Sequence, residues 1–211
     1  DAIPDDTALV WVNYPHNPTG AVAPLAFYER LAELAAERDF YVASDEAYTE
    51  LWFDEAPPSA LQVGDRSRVI VFQTLSKRSS MTGYRSGFVA ASPEVVGALK
   101  AYRPTVGTAP QEFVQRASVA AWNDERHVDE TRARYGAKRD VLIPAIRAKG
   151  WEIVASEATM YLWVAGADAD ELLERGILVS PGAFFGPSGA GYVRFALVPT
   201  LEECERAADL L

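Results

Sequence analysis

The sequence predicts an α/β fold: a mainly parallel sheet flanked by helices, followed by a smaller α+β domain. Three observations lead there. Short, partly β-branched apolar runs alternate with a helix-period segment in the first half. Clusters of polar, turn-forming residues follow those runs. From residue 93 onward the pattern changes to long helices, then to short strands interleaved with helices.

Residues 8–12 form the first apolar run, short as a buried strand is, and the stretch Asn13-Tyr14-Pro15-His16-Asn17-Pro18-Thr19-Gly20 breaks it. Residues 25–38 read as a helix with Phe27, Leu31, Leu34 and Ala35 on one face. Strands are predicted at 40–43, ending at Ser44-Asp45-Glu46, at 68–72, ending at Gln73-Thr74-Leu75-Ser76-Lys77, and at 87–91. In such sheets ligands bind outside the carboxyl ends of the strands. The clusters at Asn17, at Asp45 and from Thr74 to Arg85 all follow strand ends, so they are expected to converge on one cleft. Helices follow at 93–102, 111–122 and 127–148, the last kinked or interrupted by Pro144. The remainder predicts strands at 151–154, 160–164, 177–179 and 192–197, with helices at 168–175 and 201–211. The domain boundary is placed near Asn123–His127, giving domains 1–122 and 123–211.

Of 211 residues, 49% are hydrophobic, enough for a sizeable core and unlike a disordered chain. Thirty acidic against twenty basic residues give a formal charge of −10, which disfavours binding to nucleic-acid backbones. No stretch approaches the length of about 20 apolar residues that a bilayer span needs. The acidic start lacks the basic and apolar segments of a signal peptide. Cys204 is the only cysteine, so no internal disulfide can form; a cytoplasmic location is expected. No metal site is expected.

Several polar residues have chemistry to offer. A lysine near other cations, or stripped of water, becomes an amine nucleophile toward carbonyls, and Lys77 stands between Ser76 and Arg78 after a strand. Arg85 lies eight residues on, flanked by Gly83 and Gly87, where guanidinium and close backbone can grip a phosphate. Thr74 and Ser76 add hydroxyl donors to that cradle. Asp45 at a strand end can pair with a cationic ring nitrogen and keep it protonated, as an electron sink requires. The Tyr48 phenol and the Asn17 amide can each bond a ring oxygen. Arg194 sits inside a strand, where a charge needs a partner such as a substrate carboxylate. Taken singly, each has a plainer reading. Lys77 is then a surface lysine, Arg85 a turn residue, Asp45 a cap, Asn17 a turn start and Arg194 half of an internal salt bridge. His16 receives no role.

Together the motifs Asn17-Pro18-Thr19-Gly20, Ser44-Asp45-Glu46-Ala47-Tyr48, Thr74-Leu75-Ser76-Lys77 and Gly83-Tyr84-Arg85-Ser86-Gly87 resemble, in order and spacing, those of class I/II aminotransferases. These are fold-type-I enzymes that use pyridoxal 5′-phosphate. The likeness covers essentially the whole chain, and Arg194 within Gly191-Tyr192-Val193-Arg194-Phe195-Ala196 matches the family's carboxylate-binding arginine. The resemblance implies that Lys77 holds the cofactor and shuttles the proton between substrate Cα and cofactor C4′. It implies that Asp45 pairs with the pyridine nitrogen and that Asn17 and Tyr48 bind the phenolic oxygen. Thr74, Ser76 and Arg85 would hold the phosphate, and Arg194 the substrate α-carboxylate. Residues 1–122 would then belong to the large cofactor-binding domain and 123–211 to the small domain.

The family also supplies a glycine-containing phosphate loop and a ring-stacking aromatic residue from ahead of the Asn-Pro motif, and the sixteen residues before Asn17 hold neither. The resemblance therefore implies a carboxyl-terminal portion of a longer homodimeric protein, inactive by itself. Thr108 resembles a position that reaches the site across the dimer interface. Ser76-Lys77-Arg78-Ser79-Ser80, Gly83-Tyr84-Arg85-Ser86-Gly87-Phe88-Val89-Ala90, 114–122 and Gly191-Tyr192-Val193-Arg194 are similar to bacterial N-succinyldiaminopimelate aminotransferases of lysine biosynthesis, with 2-oxoglutarate as the other reactant. Arg78 is a candidate for reading the distal end of that substrate. Alternatives on the same residues are an aminotransferase for aromatic, aspartate-like or LL-diaminopimelate substrates, or a β-eliminating lyase. From another class come the sensing domain of a transcription regulator and a catalytically dead domain.

Overall fold

The computed structural model describes residues 3–107 and 109–211. They separate into two compact units. The first holds the chain up to Pro15, Ala23–Glu50 and Ala56–Val128; the second holds His16–Val22, Leu51–Glu55 and Asp129–Leu211. Two short segments from the first half of the chain, one of them containing Asn17, thus pack with the second unit.

In the first unit β1 (Leu9–Asn13), β2 (Tyr41–Asp45), β3 (Val69–Thr74) and β4 (Gly87–Ala90) form one sheet in that order. β1, β2 and β3 are parallel, while β4 is an antiparallel edge strand. The chain between β3 and β4 forms only short helical turns rather than a crossover helix, and β4 returns antiparallel to β3. The crossover from β1 to β2 is α1 (Leu25–Arg38), which buries Tyr28, Leu31, Ala32 and Ala35. The buried stripe is therefore displaced from the predicted one. Phe27 stays 36% exposed and meets the rings of Tyr14 and Tyr28 edge-on, whereas Tyr28 takes the core position. Ala23, Ala60, Val63, Val69 and Val71 complete that side of the sheet. The other side keeps apolar groups in the open: Trp11 is 57% exposed although it stacks on Phe72, and Val89, which pairs with Phe72, is exposed as well. α3 (Pro93–Val106) buries no residue, and α4 (Glu112–Trp122) buries only Val114 and Ser118. α3 also runs past its expected end, through Pro104.

In the second unit β5 (Glu152–Ile153), β6 (Tyr161–Ala165), β7 (Ser180–Pro181) and β8 (Tyr192–Ala196) form an antiparallel sheet in the order β5-β6-β8-β7. The expected strand at 177–179 is not one. Ile177 and Val179 enter the core from a connecting segment, and the short strand begins only at Ser180. Their burial explains the strand-like apolar signal. α5 (Arg126–Ala148) is not interrupted by Pro144. Pro144 and Asp140, whose carbonyl loses its helical partner, both face outward, while Leu142, Ile143 and Ile146 hold the helix on the core. α6 (Ala169–Glu174), capped by Asp168, and α7 (Leu201–Leu210), with a Thr200–Glu203 capping box, close the unit around Leu162, Val164, Val193, Phe195 and Cys204. Among the described residues, no helix is long and apolar enough to cross a membrane.

Candidate active site

Six expected site residues lie in the first unit, at the carboxyl ends of its parallel strands. Asp45 is the last residue of β2, paired in register with Asn13 and Phe72. Its position is fixed from both sides: Asn13 Nδ2 donates to its carbonyl at 2.9 Å, and its own Oδ1 accepts from Ala47 N–H at 3.1 Å. The plainer reading of Asp45 as a turn-former is thus also true. The next residue, Glu46, is fully buried and holds the neighbouring segments together. It accepts from Ala60 N–H at 2.8 Å, Ser44 Oγ at 3.1 Å and Gln73 Nε2 at 3.3 Å. Burial pushes its carboxyl above the ordinary carboxylate range, partly offset by hydrogen bonds from Ser59, Ala60, Ser44 and Gln73. Sequence reasoning gave Glu46 no task, because nothing in its spacing signals burial.

β3 ends at Thr74, and the chain turns at once into a single helical turn, α2 (Leu75–Arg78), which carries Lys77. Thr74 is its cap: Oγ1 accepts from Ser76 N–H at 3.1 Å and donates to Ser86 O at 3.2 Å. The Thr74 and Ser76 hydroxyls are 3.0 Å apart. Lys77 Nζ lies over the ring of Tyr48, 5.4 Å from its centroid, and Tyr48 is itself buried. The antiparallel return puts Gly87 opposite Thr74, so Arg85, two residues earlier, comes to the same end of the sheet. Arg85 is exposed, adopts the left-handed conformation at φ 51°, and donates to Thr82 O at 3.0 Å. A Cβ on Gly87 would collide with the Gln73 carbonyl, which explains why the chain has no side chain there.

Asn17 and Arg194 belong to the second unit and bond to each other: Arg194 Nη1 donates to Asn17 Oδ1 at 2.9 Å. Alternation along β8 sends Val193 and Phe195 into the core and leaves Arg194 on the opposite face. There its guanidinium lies 4.2 Å from the Tyr161 ring centroid and 4.5 Å from that of Phe185, and Nη2 donates to Ser180 Oγ at 3.3 Å. Its hydrogen-bond partners among the described residues are neutral, and its buried Nε has none. The internal salt bridge considered from sequence is therefore not what holds it. Ser180, Tyr161 and Phe185 were missed because they come from separate strands and turns with no shared motif. Beside Asn17, Gly20 has φ +78°, and a Cβ there would come within 3.1 Å of the Ala158 carbonyl. His16 Nδ1 meets Thr19 Oγ1 at 2.8 Å, and burial lowers its pKa.

Arg78 does not fit the substrate-reading task suggested for it. It is 3% exposed, pairs with Glu125 at 2.8 Å and covers the Trp122 ring at 4.5 Å. Thr108 lies outside the described residues.

A family model of class I and II aminotransferases matches residues 1–211. The chain belongs to that family. Its members use pyridoxal 5′-phosphate, and the donor set of the first unit suits such a group. At the carboxyl-terminal end of its parallel strands the unit carries an amine over a phenol, a carboxylate, a pair of hydroxyls and an exposed guanidinium of the kind that takes a phosphate. A probable aminotransferase of Mycobacterium tuberculosis is 39% identical over 99% of this chain and 52% of its own length. An LL-diaminopimelate aminotransferase of Trichormus variabilis is 36% identical over 98% and 57%. Among solved structures, a probable N-succinyldiaminopimelate aminotransferase of Thermus thermophilus superposes with a TM-score of 0.88 at 32% identity, covering 98% of this chain and 58% of that one. The fold is that of the fold-type-I aminotransferases. The chain spans little more than half the length of these relatives.

Proposed function

We propose that the protein to which this chain belongs is a pyridoxal phosphate-dependent aminotransferase with Lys77 as its catalytic lysine. The reading is carried by one observation: Lys77 stands on a capped single turn directly after β3, over Tyr48, beside the strand that ends in Asp45. When bound, the cofactor supplies an electron sink for the carbanion formed at the substrate Cα. Lys77 anchors it and moves the proton at Cα. Asp45 pairs with the ring nitrogen, while Asn17 and Tyr48 bind the phenolic oxygen. Thr74, Ser76 and Arg85 hold the phosphate. Arg194 takes the α-carboxylate, its planar fork oriented by Asn17 and Ser180. Residues 1–122 are read as part of the cofactor-binding domain and 123–211 as the small domain of a cytoplasmic homodimer. The 211-residue chain alone is expected to be inactive.

The substrate we favour is N-succinyl-LL-2,6-diaminopimelate with 2-oxoglutarate as acceptor, supported by the sequence stretches around Lys77 and Arg194 and by the Thermus relative's name. LL-diaminopimelate is the second reading, because several relatives carry that name. The test uses the full-length protein. Borohydride reduction followed by peptide mapping should find the cofactor on Lys77; an adduct elsewhere refutes the assignment. The visible absorbance of the loaded enzyme should then be lost on adding N-succinyl-LL-2,6-diaminopimelate but not LL-diaminopimelate, and the reverse selects the second reading. Pyruvate release without a keto-acid acceptor would mark a lyase.

A further inference from the structure

A four-residue helix cannot hold itself together, because one or two hydrogen bonds do not offset the cost of fixing the backbone. α2 must therefore be held from outside if Lys77 is to keep its place. Its amino-terminal end is held by the Thr74 cap and by Leu75 N–H on Ser86 O at 3.1 Å. Its carboxyl-terminal end is held by a different part of the chain, Trp122–His127. Arg78 is almost fully buried between the Trp122 ring and Glu125. Trp122 is steadied in turn by Phe88, edge-on at 4.9 Å. Ser79 Oγ lies 2.8 Å from His127 Nε2, and His127 Nδ1 lies 3.1 Å from Asp124 Oδ2. An ionised carboxylate only accepts, so Nδ1 carries a proton toward Asp124, which leaves Nε2 to bond the Ser79 hydroxyl.

Asp124, His127 and Ser79 are connected in the order of a hydrolase relay. The surroundings argue against that use. The amides of Ser79 and Met81 donate to Leu75 O and that of Ser80 to Lys77 O, so the backbone donors next to Ser79 are spent inside the turn and not offered to an oxyanion. What the bonds do is fasten the two residues after Lys77 to the segment that leads into α5.

We infer that Arg78, Ser79 and His127 are positioning residues that aim the Lys77 amine by clamping its turn to Trp122–His127. The inference rests on Lys77 being the catalytic lysine. A single turn released at one end lets Nζ wander by an ångström or more, and misplacement of that size costs up to about 100-fold in rate. The experiment compares full-length wild type with Ser79→Ala, His127→Phe and His127→Gln. Amide hydrogen exchange of the cofactor-free protein should quicken across Leu75–Met81 in Ser79→Ala and His127→Phe. Their kcat should fall by roughly 10- to 100-fold with KM for the amino donor nearly unchanged. His127→Gln, which keeps a polar atom near Ser79, should recover most of both. Unchanged exchange in the turn together with unchanged kcat, even with a lowered Tm, would make these ordinary stabilising contacts and overturn the inference. Ser79→Ala removes one oxygen atom and guards against misfolding of the histidine variants. The exchange measurement needs no cofactor or turnover, so its failure is separate from a failure of borohydride mapping to find Lys77.

Discussion

Replacing Arg194 with alanine separates a binding role from a structural one. Two neutral hydrogen bonds and two ring faces favour the guanidinium where it is. Against them stand, among the described residues, a half-buried positive charge without a carboxylate partner and a buried Nε without any bond. These opposing contributions nearly cancel, so the folding stability of Arg194→Ala should change by less than about 2 kcal/mol. Binding is different: removing the cation from a desolvated carboxylate should cost about 2–5 kcal/mol. That corresponds to roughly 30- to 5,000-fold weaker amino-donor binding. The assay is titration of the full-length enzyme's visible absorbance with amino donor, alongside calorimetry and cofactor retention on dialysis. Arg194→Lys keeps the charge without the fork and should fall between. A large drop in Tm, with amino-donor and cofactor affinity lost in parallel, would refute the reasoning and make Arg194 a structural residue.

Further outcomes follow from other contacts. Glu46 has a raised pKa in the folded state, so the folded protein holds its proton after the unfolded chain has released it. Stability should therefore decline as pH rises from the ordinary carboxylate range through the raised value, and Glu46→Gln should flatten that part of the Tm–pH curve. Equal slopes in both proteins would show that Glu46 is not responsible. Gly87→Ala should destabilise by about 1–3 kcal/mol because the new Cβ meets the Gln73 carbonyl; denaturant unfolding of the full-length protein measures it, and an unchanged midpoint would contradict the clash. Asp45→Ala should weaken cofactor retention and slow transamination more than it lowers Tm, whereas a turn-forming role alone would lower Tm only. The 211-residue chain by itself should bind a hydrophobic dye such as ANS, given exposed Trp11, Phe88, Tyr102, Phe113 and Val119; absence of dye fluorescence would contradict this expectation.

Sequence by itself settled what local chemistry decides. The apolar runs located three parallel strands, and the Asn-Pro, Asp, Lys and Arg motifs in their order pointed to one enzyme family. Tertiary structure decided whatever depends on partners far apart in the chain. Apolar content alone could not choose between Phe27 and Tyr28 for the core, nor tell a buried segment at Ile177 and Val179 from a strand. Arg78 looks like any cation until Trp122 and Glu125 are seen around it, and Arg194 like half of a salt bridge until Asn17, 177 positions away, takes its hydrogen bond. Burial and pairing are properties of folded neighbours, and a spacing pattern carries only those neighbours that lie within a few residues along the chain.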